Sequence, residues 1–334
     1  MRQEYIVRFM NFGGLPYKTK QFFFVLIKLS IVVGAFYFIY YKLTTNENLN
    51  FEDFIQNLNE NRFFSIKTIS FLVFLSIFNW FFEILKWKTL VKYIKLISFK
   101  NALEQSLASL TASLITPNRI GEYGAKAIYY DKASRKKIML LNLVGNMTQM
   151  TVTVLFGCIG LFAMQTIYDL NISYFKFLNI VIIGCIVLGL VVLGLYRNRL
   201  KIKGFSVEKL KSFFKNLPLK IQFLAFAFSI ARYLIFSFQF YVILTIFGVS
   251  LGYIDAMIVI TSIYLLASVI PSIFIFDVVI KGSVAVYLFS IVGVGVNEFT
   301  ILSCISIMWI LNFVLPSMIG SYYVLNFKLQ KTNT

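Results

Sequence analysis

The chain has 334 residues, of which 59% are apolar and only 14% charged, and its mean hydropathy is +0.79. A soluble domain carries roughly 45–50% apolar and about 25% charged residues, so this composition excludes a soluble fold and requires a polytopic membrane protein. The 32 Lys and Arg against 14 Asp and Glu give +18, and most of those bases fall between apolar runs; there they set topology and meet anionic lipid headgroups rather than nucleic acid.

Residues 1–21 read as a cytoplasmic segment rather than a cleaved signal, because the first apolar run, 22–41, is too long for a signal h-region. Twenty helical residues cover roughly 30 Å, enough to cross a bilayer. Further apolar runs occupy 65–85, 102–116, 138–166, 175–196, 221–247, 254–276, 278–296 and 299–326. The expected fold is an all-α integral membrane helix bundle of about 7–9 apolar segments, one or two of them broken or re-entrant. It forms a single transmembrane domain over 22–327, with a cytoplasmic tail at 328–334.

Charge supplies the orientation. Arg2, Arg8, Lys18 and Lys20 precede the first run, acidic Glu47, Glu52, Asp53 and Glu60 follow it, and Lys86, Lys88, Lys92, Lys95 and Lys100 follow the second. The positive-inside rule reads these as in, out and in. Run 102–116 is then followed by Arg119, Lys126, Lys132, Arg135, Lys136 and Lys137, again basic, although a crossing would put them outside. The run is also shorter than the roughly 20 residues a span needs, so it is expected to enter and return. Irregular backbone at that depth is tolerated only where protein or water covers it. Run 138–166 then exits and 175–196 returns to a basic loop over 197–220. Run 221–247 exits to Asp255, and 254–296 holds either two spans or one broken pair. Both termini are expected in the cytoplasm.

The chain contains no histidine, which excludes His-based acid–base catalysis and histidine metal sites. Cys158, Cys185 and Cys304 all lie within apolar runs and read as packing residues. No P-loop sequence is present. No catalytic residue, metal or cofactor is expected.

The polar residues inside this apolar frame are the candidates for function. Gln105, Ser109, Ser113 and Thr116 recur at helical spacing and share one face, either a close-packing surface or a cavity wall. Thr116-Pro117 then reads as the start of a new helix, Thr116 capping and Pro117 at the first position. That would set free N–H groups beside Arg119, a combination suited to phosphate. Asn118 lies within this break, Gly121 and Gly124 permit close approach, and Glu122 and Lys126 are spaced to pair. Arg232 falls near the middle of its run and needs a partner or water. A second break at Pro271 is followed by Asp277 and Lys281, again four apart. Arg232 and Asp277 could form a structural salt bridge, or Arg232, Lys281 and Arg119 could converge on a lipid phosphate. Glu83 and Lys86 read as a structural ion pair, and Trp87 as an interfacial aromatic.

Lys86-Trp87, the stretch Thr116-Pro117-Asn118-Arg119-Ile120-Gly121-Glu122, the basic loop near 197–220 and the Pro271 break together resemble the transmembrane region of lysylphosphatidylglycerol synthases, a flippase-like membrane domain, over roughly 20–327. Many members carry a glutamate after the second proline, where Lys281 stands here. The resemblance implies lipid handling without the soluble aminoacyl-transfer domain, since the chain ends eight residues after its last apolar run. The expected function is binding and translocation of an anionic phospholipid or polyprenyl-phosphate lipid across a bacterial inner membrane. Arg119 would receive the phosphate, Arg232 and Lys281 would form a second station, and Glu122 and Asp277 would orient the cations. The alternatives are a transferase on polyprenyl-linked sugars, an accessory subunit of envelope biosynthesis with protein partners there, or an envelope scaffold.

Overall fold

The computed structural model describes residues 65–114, 116, 119–168, 207–269, 277–293 and 296–327, with Val33 and Gln56 as isolated helical positions; for 207–211 and 277 it describes the backbone alone. The expected first span at 22–41, the run 175–196, and Pro117, Asn118 and Pro271 lie outside the described residues.

Every element among the described residues is helical. They are α1 (Ile66–Val91), α2 (Phe99–Ser113), α3 (Gly121–Ala127), α4 (Lys132–Tyr168), α5 (Val207–Asn216), α6 (Leu219–Ile246), α7 (Tyr253–Val269), α8 (Asp277–Val292) and α9 (Glu298–Asn326). Serines mark two starts: Ser65 Oγ accepts from the Thr68 amide at 3.2 Å, and Ser98 Oγ accepts from the Asn101 amide at 3.2 Å. Each satisfies one of the amides that a first turn leaves without a helical acceptor.

Length separates the helices into two kinds. α1, α4, α6 and α9 have 26, 37, 28 and 29 residues and are apolar enough to span. The 37 residues of α4 cover about 55 Å, more than the hydrocarbon needs. Lys132, Arg135, Lys136 and Lys137 occupy its first two turns, where the excess belongs in water or among headgroups. By contrast α2, α7 and α8 have 15, 17 and 16 residues, all short of the roughly 20 required. The short run around residue 110 is therefore a short helix, as its length requires. The 254–296 region is a pair of short helices packed on one another.

Lipid cannot drive helices together by the hydrophobic effect, so close contact has to come from small residues and interhelical hydrogen bonds. Both operate here. α7 lies on a glycine seam of α4: a methyl group added at Gly157 would strike Leu265, and one at Gly160 would strike Thr261. The second half of α9 packs on α2, where an added methyl at Gly320 would meet the Leu107 carbonyl and Thr111. The same crossing is tied by Thr111 Oγ1, which donates to the Ser317 carbonyl at 2.9 Å. Side chains such as Ile77 and Phe74 on α1 and Leu155 and Ile159 on α4 remain exposed, as lipid-facing positions should.

This packing yields a paired test. Gly320→Ala should lower stability by about 1–3 kcal/mol, because backbone has to move to admit the methyl group. Gly124→Ala, whose methyl would enter open space, should be neutral or stabilising by up to about 1 kcal/mol through helix propensity. Thermal unfolding of the detergent-solubilised variants measures both.

Candidate functional site

Ser76, Asn79, Glu83 and Lys86 recur along α1 at three, four and three, so one face carries them over about 15 Å. All four are buried. A buried carboxylate must be paired, and Glu83 is paired twice: Oε2 lies 2.7 Å from Lys86 Nζ and 2.7 Å from Arg232 Nη1 on α6. Arg232 Nε also donates to Asn79 Oδ1 at 3.0 Å. From there a chain of amides crosses the bundle. Asn79 Nδ2 donates to Asn312 Oδ1 at 2.8 Å, Asn312 Nδ2 to Gln239 Oε1 at 2.8 Å, and Gln239 Nε2 to Ser76 Oγ and the Leu72 carbonyl at 2.9 Å each.

The α9 end of this chain follows from one proline. In a regular helix the amide of residue 316 would bond to the carbonyl of Asn312, but Pro316 has no N–H. The backbone widens into a π turn over Ile310–Val314. The Asn312 carbonyl instead accepts from Trp80 Nε1 at 3.0 Å. The proline thus frees an acceptor that α1 uses.

The second cluster lies where α2 gives way to α3. Thr116 Oγ1 accepts from the Gly121 amide at 2.9 Å and donates to the Ser113 carbonyl at 2.9 Å. Regular helix therefore begins at Gly121, later than the start expected at Pro117. The cause is Arg119, which has φ +55°, the sole non-glycine residue with positive φ among the described residues. A left-handed residue cannot join a right-handed helix, so the ladder forms beyond it. At seven residues α3 is too short for its dipole to carry anion binding; the side chains must do so. A methyl at Gly121 would lie 2.6 Å from the Ala112 carbonyl, so this glycine serves helix approach, whereas Gly124 faces open space.

Glu122 Oε1 pairs with Lys126 Nζ at 2.7 Å, and Arg119 Nη2 lies 3.3 Å from Glu122 Oε2. This is no surface pair: the Lys126 and Glu122 side chains are 2% and 6% exposed, against 31% for Arg119. Lys126 also donates to Asn142 Oδ1 of α4 at 2.8 Å. An ammonium can only donate, so this bond fixes the Asn142 amide and turns its Nδ2 the other way. Asn142 Nδ2 and Arg119 Nε are buried donors with no acceptor among the described residues. A buried donor without an acceptor costs about 1–3 kcal/mol.

Trp87 joins the two clusters. The Lys126 ammonium sits 4.3 Å from the centre of its ring, while its Nε1 donates to Gln105 Oε1 at 2.8 Å. Gln105 Oε1 also accepts from Tyr130 at 2.7 Å. The charge of Lys126 reaches Glu83, and the two glutamates act on each other. The clusters are one electrostatic unit of two Lys–Glu–Arg triads.

Several sequence expectations change in this light. Ser109 and Ser113, offered as a possible cavity wall, are fully buried and donate to the Ser106 and Leu110 carbonyls of their own helix, so their face is packed. Arg232 finds its carboxylate in Glu83; the side chain of Asp277 lies outside the described residues. Lys281 lines an apolar pocket with Phe236, Tyr264 and Trp309, its ammonium 5.9 Å from the Phe313 ring centre. The Glu83–Lys86 and Glu122–Lys126 pairs form as their spacing requires. Asn79, Asn142, Gln239 and Asn312 were missed, although an amide side chain inside an apolar run is itself a signal.

Glu83→Ala would strand Lys86 and Arg232 without their counter-ion. The expected loss is about 3–5 kcal/mol, read as a lowered unfolding temperature in detergent. Trp80→Phe, which leaves one carbonyl unpaired, should cost about 1–3 kcal/mol.

The family profile described as Lysylphosphatidylglycerol synthase TM region matches residues 25–320. Comparison with curated proteins and with solved structures returns no match.

Proposed function

The chain belongs to the lysylphosphatidylglycerol synthase TM region family, and from that premise we propose that it binds the phosphate of an anionic membrane lipid at the Arg119–Glu122–Lys126–Asn142 cluster and carries that lipid across the bacterial inner membrane, with both termini in the cytoplasm. The observation that carries this reading is the pair of unsatisfied buried donors, Arg119 Nε and Asn142 Nδ2, beside a buried lysine. Phosphate oxygens are the acceptors such donors fit best. Backbone strain held at Arg119 supports it, since a left-handed arginine persists only where its surroundings impose it. The arginine reaches toward the exposed side of the cluster while its counter-ion stays buried.

The Glu83–Lys86–Arg232 triad is the second station in this reading, reached along the polar face of α1. A transferase would need a carboxylate available to a metal or a proton. Glu83 and Glu122 are each held between a lysine and an arginine, which favours binding and movement over catalysis.

Arg119→Ala removes one charge-assisted contact, worth about 1.5–3 kcal/mol, or roughly 10–150-fold in affinity. Native mass spectrometry of the purified protein should show an anionic lipid on the wild type that is depleted on the variant at an unchanged unfolding temperature. Reconstituted liposomes should show a matching loss of fluorescent-lipid translocation. Equal lipid occupancy and equal translocation in the two proteins would reject the reading.

A further inference from the structure

The two triads have an uneven charge balance. Lys86, Lys126, Arg119 and Arg232 face Glu83 and Glu122, four cations against two carboxylates, an excess of two positive charges among the described residues. The inner members, Glu83 with Lys86 and Glu122 with Lys126, neutralise each other and are almost fully buried. The excess therefore resides on the arginines, whose side chains are 17% and 31% exposed. These are the groups an entering ligand can still reach.

Excess charge in a weakly polarisable interior is costly until a matching counter-charge arrives. A phosphodiester headgroup brings one negative charge. A terminal phosphate monoester brings about −1.5 to −2 near neutral pH, with three strong acceptor oxygens. The unsatisfied donors number three N–H bonds, one on Arg119 Nε and two on Asn142 Nδ2. Either headgroup has oxygens enough for three N–H bonds, so it is the charge balance that discriminates between them.

We propose that the site selects lipids ending in a phosphate monoester or diphosphate over phosphodiester lipids. This rests on the phosphate-binding reading above and narrows its substrate class. Two kinds of lipid carry such a headgroup, phosphatidic acid on a glycerol backbone and a polyprenyl phosphate on an isoprenoid chain.

The test is native mass spectrometry titration of the full chain with dioleoyl phosphatidic acid, dioleoyl phosphatidylglycerol, dioleoyl phosphatidylcholine and undecaprenyl phosphate. Phosphatidic acid should bind at least about tenfold tighter than phosphatidylglycerol, the equivalent of about 1.4 kcal/mol. Undecaprenyl phosphate should bind at least as well as phosphatidic acid if the isoprenoid is the source, and less well if glycerolipid is. Asn142→Asp keeps the acceptor that Lys126 uses but lowers the excess charge by one. That variant, and Arg119→Gln on its exposed side chain, should each shrink the preference for phosphatidic acid at least threefold. Equal binding of phosphatidic acid and phosphatidylglycerol, both above phosphatidylcholine and both weakened by Arg119→Gln, would overturn the monoester selection and leave the phosphate site standing. Phosphatidylcholine binding as tightly as phosphatidic acid would overturn both.

Discussion

Two carboxylates, Glu83 and Glu122, are held inside the helix bundle, and each must be neutralised where water cannot do it. An ionised carboxylate in a low-dielectric interior is tolerated only with a cation and further hydrogen bonds at short range. Each carboxylate meets that condition in the same way, with a buried lysine from its own helix and an arginine from beyond it. The lysines satisfy local spacing, three or four residues along a helix. Arg232 brings distant chain together by tying α6 to α1, whereas Arg119 reaches Glu122 from the turn just before α3.

The rest of the interior is arranged around those charges. Gly145 on α4 lets α1 come close: an added methyl would stand 3.0 Å from Leu90 Cδ1. Trp87 offers one side of its ring to Lys126 and its N–H to Gln105. Pro316 interrupts α9 so that Asn312 can serve α1 with its backbone carbonyl and its side-chain amide together. A polar path results through a bundle whose outer faces remain phenylalanine, isoleucine and leucine.

Composition and periodicity determine much of this protein without any structure. An apolar content of 59% with runs of twenty and more residues allows only spanning helices, because only a helix satisfies its own backbone in lipid. Helix lengths follow from where those runs start and stop, down to the shortness of the run near residue 110. Pairs three or four residues apart, Glu83 with Lys86 and Glu122 with Lys126, are equally legible, since helical geometry alone brings them together.

What only the tertiary structure decided is every partnership across the chain. Nothing local connects Arg232 with Glu83, 149 residues away, or Asn312 with Asn79, 233 away. Sequence reasoning offered Arg232 an acidic partner at Asp277 and joined it with Lys281, because charge sign carries no direction. The packing of α6 against α1 supplies Arg232 with Glu83 as a counter-ion. Helix onset after Thr116 shows the same limit at short range: threonine-cap and proline rules place a start at Pro117, but the left-handed Arg119 postpones it. Patterns along a chain report which faces are apolar; which faces meet is set by the shapes of glycine seams and the demand of buried charge for a counter-charge.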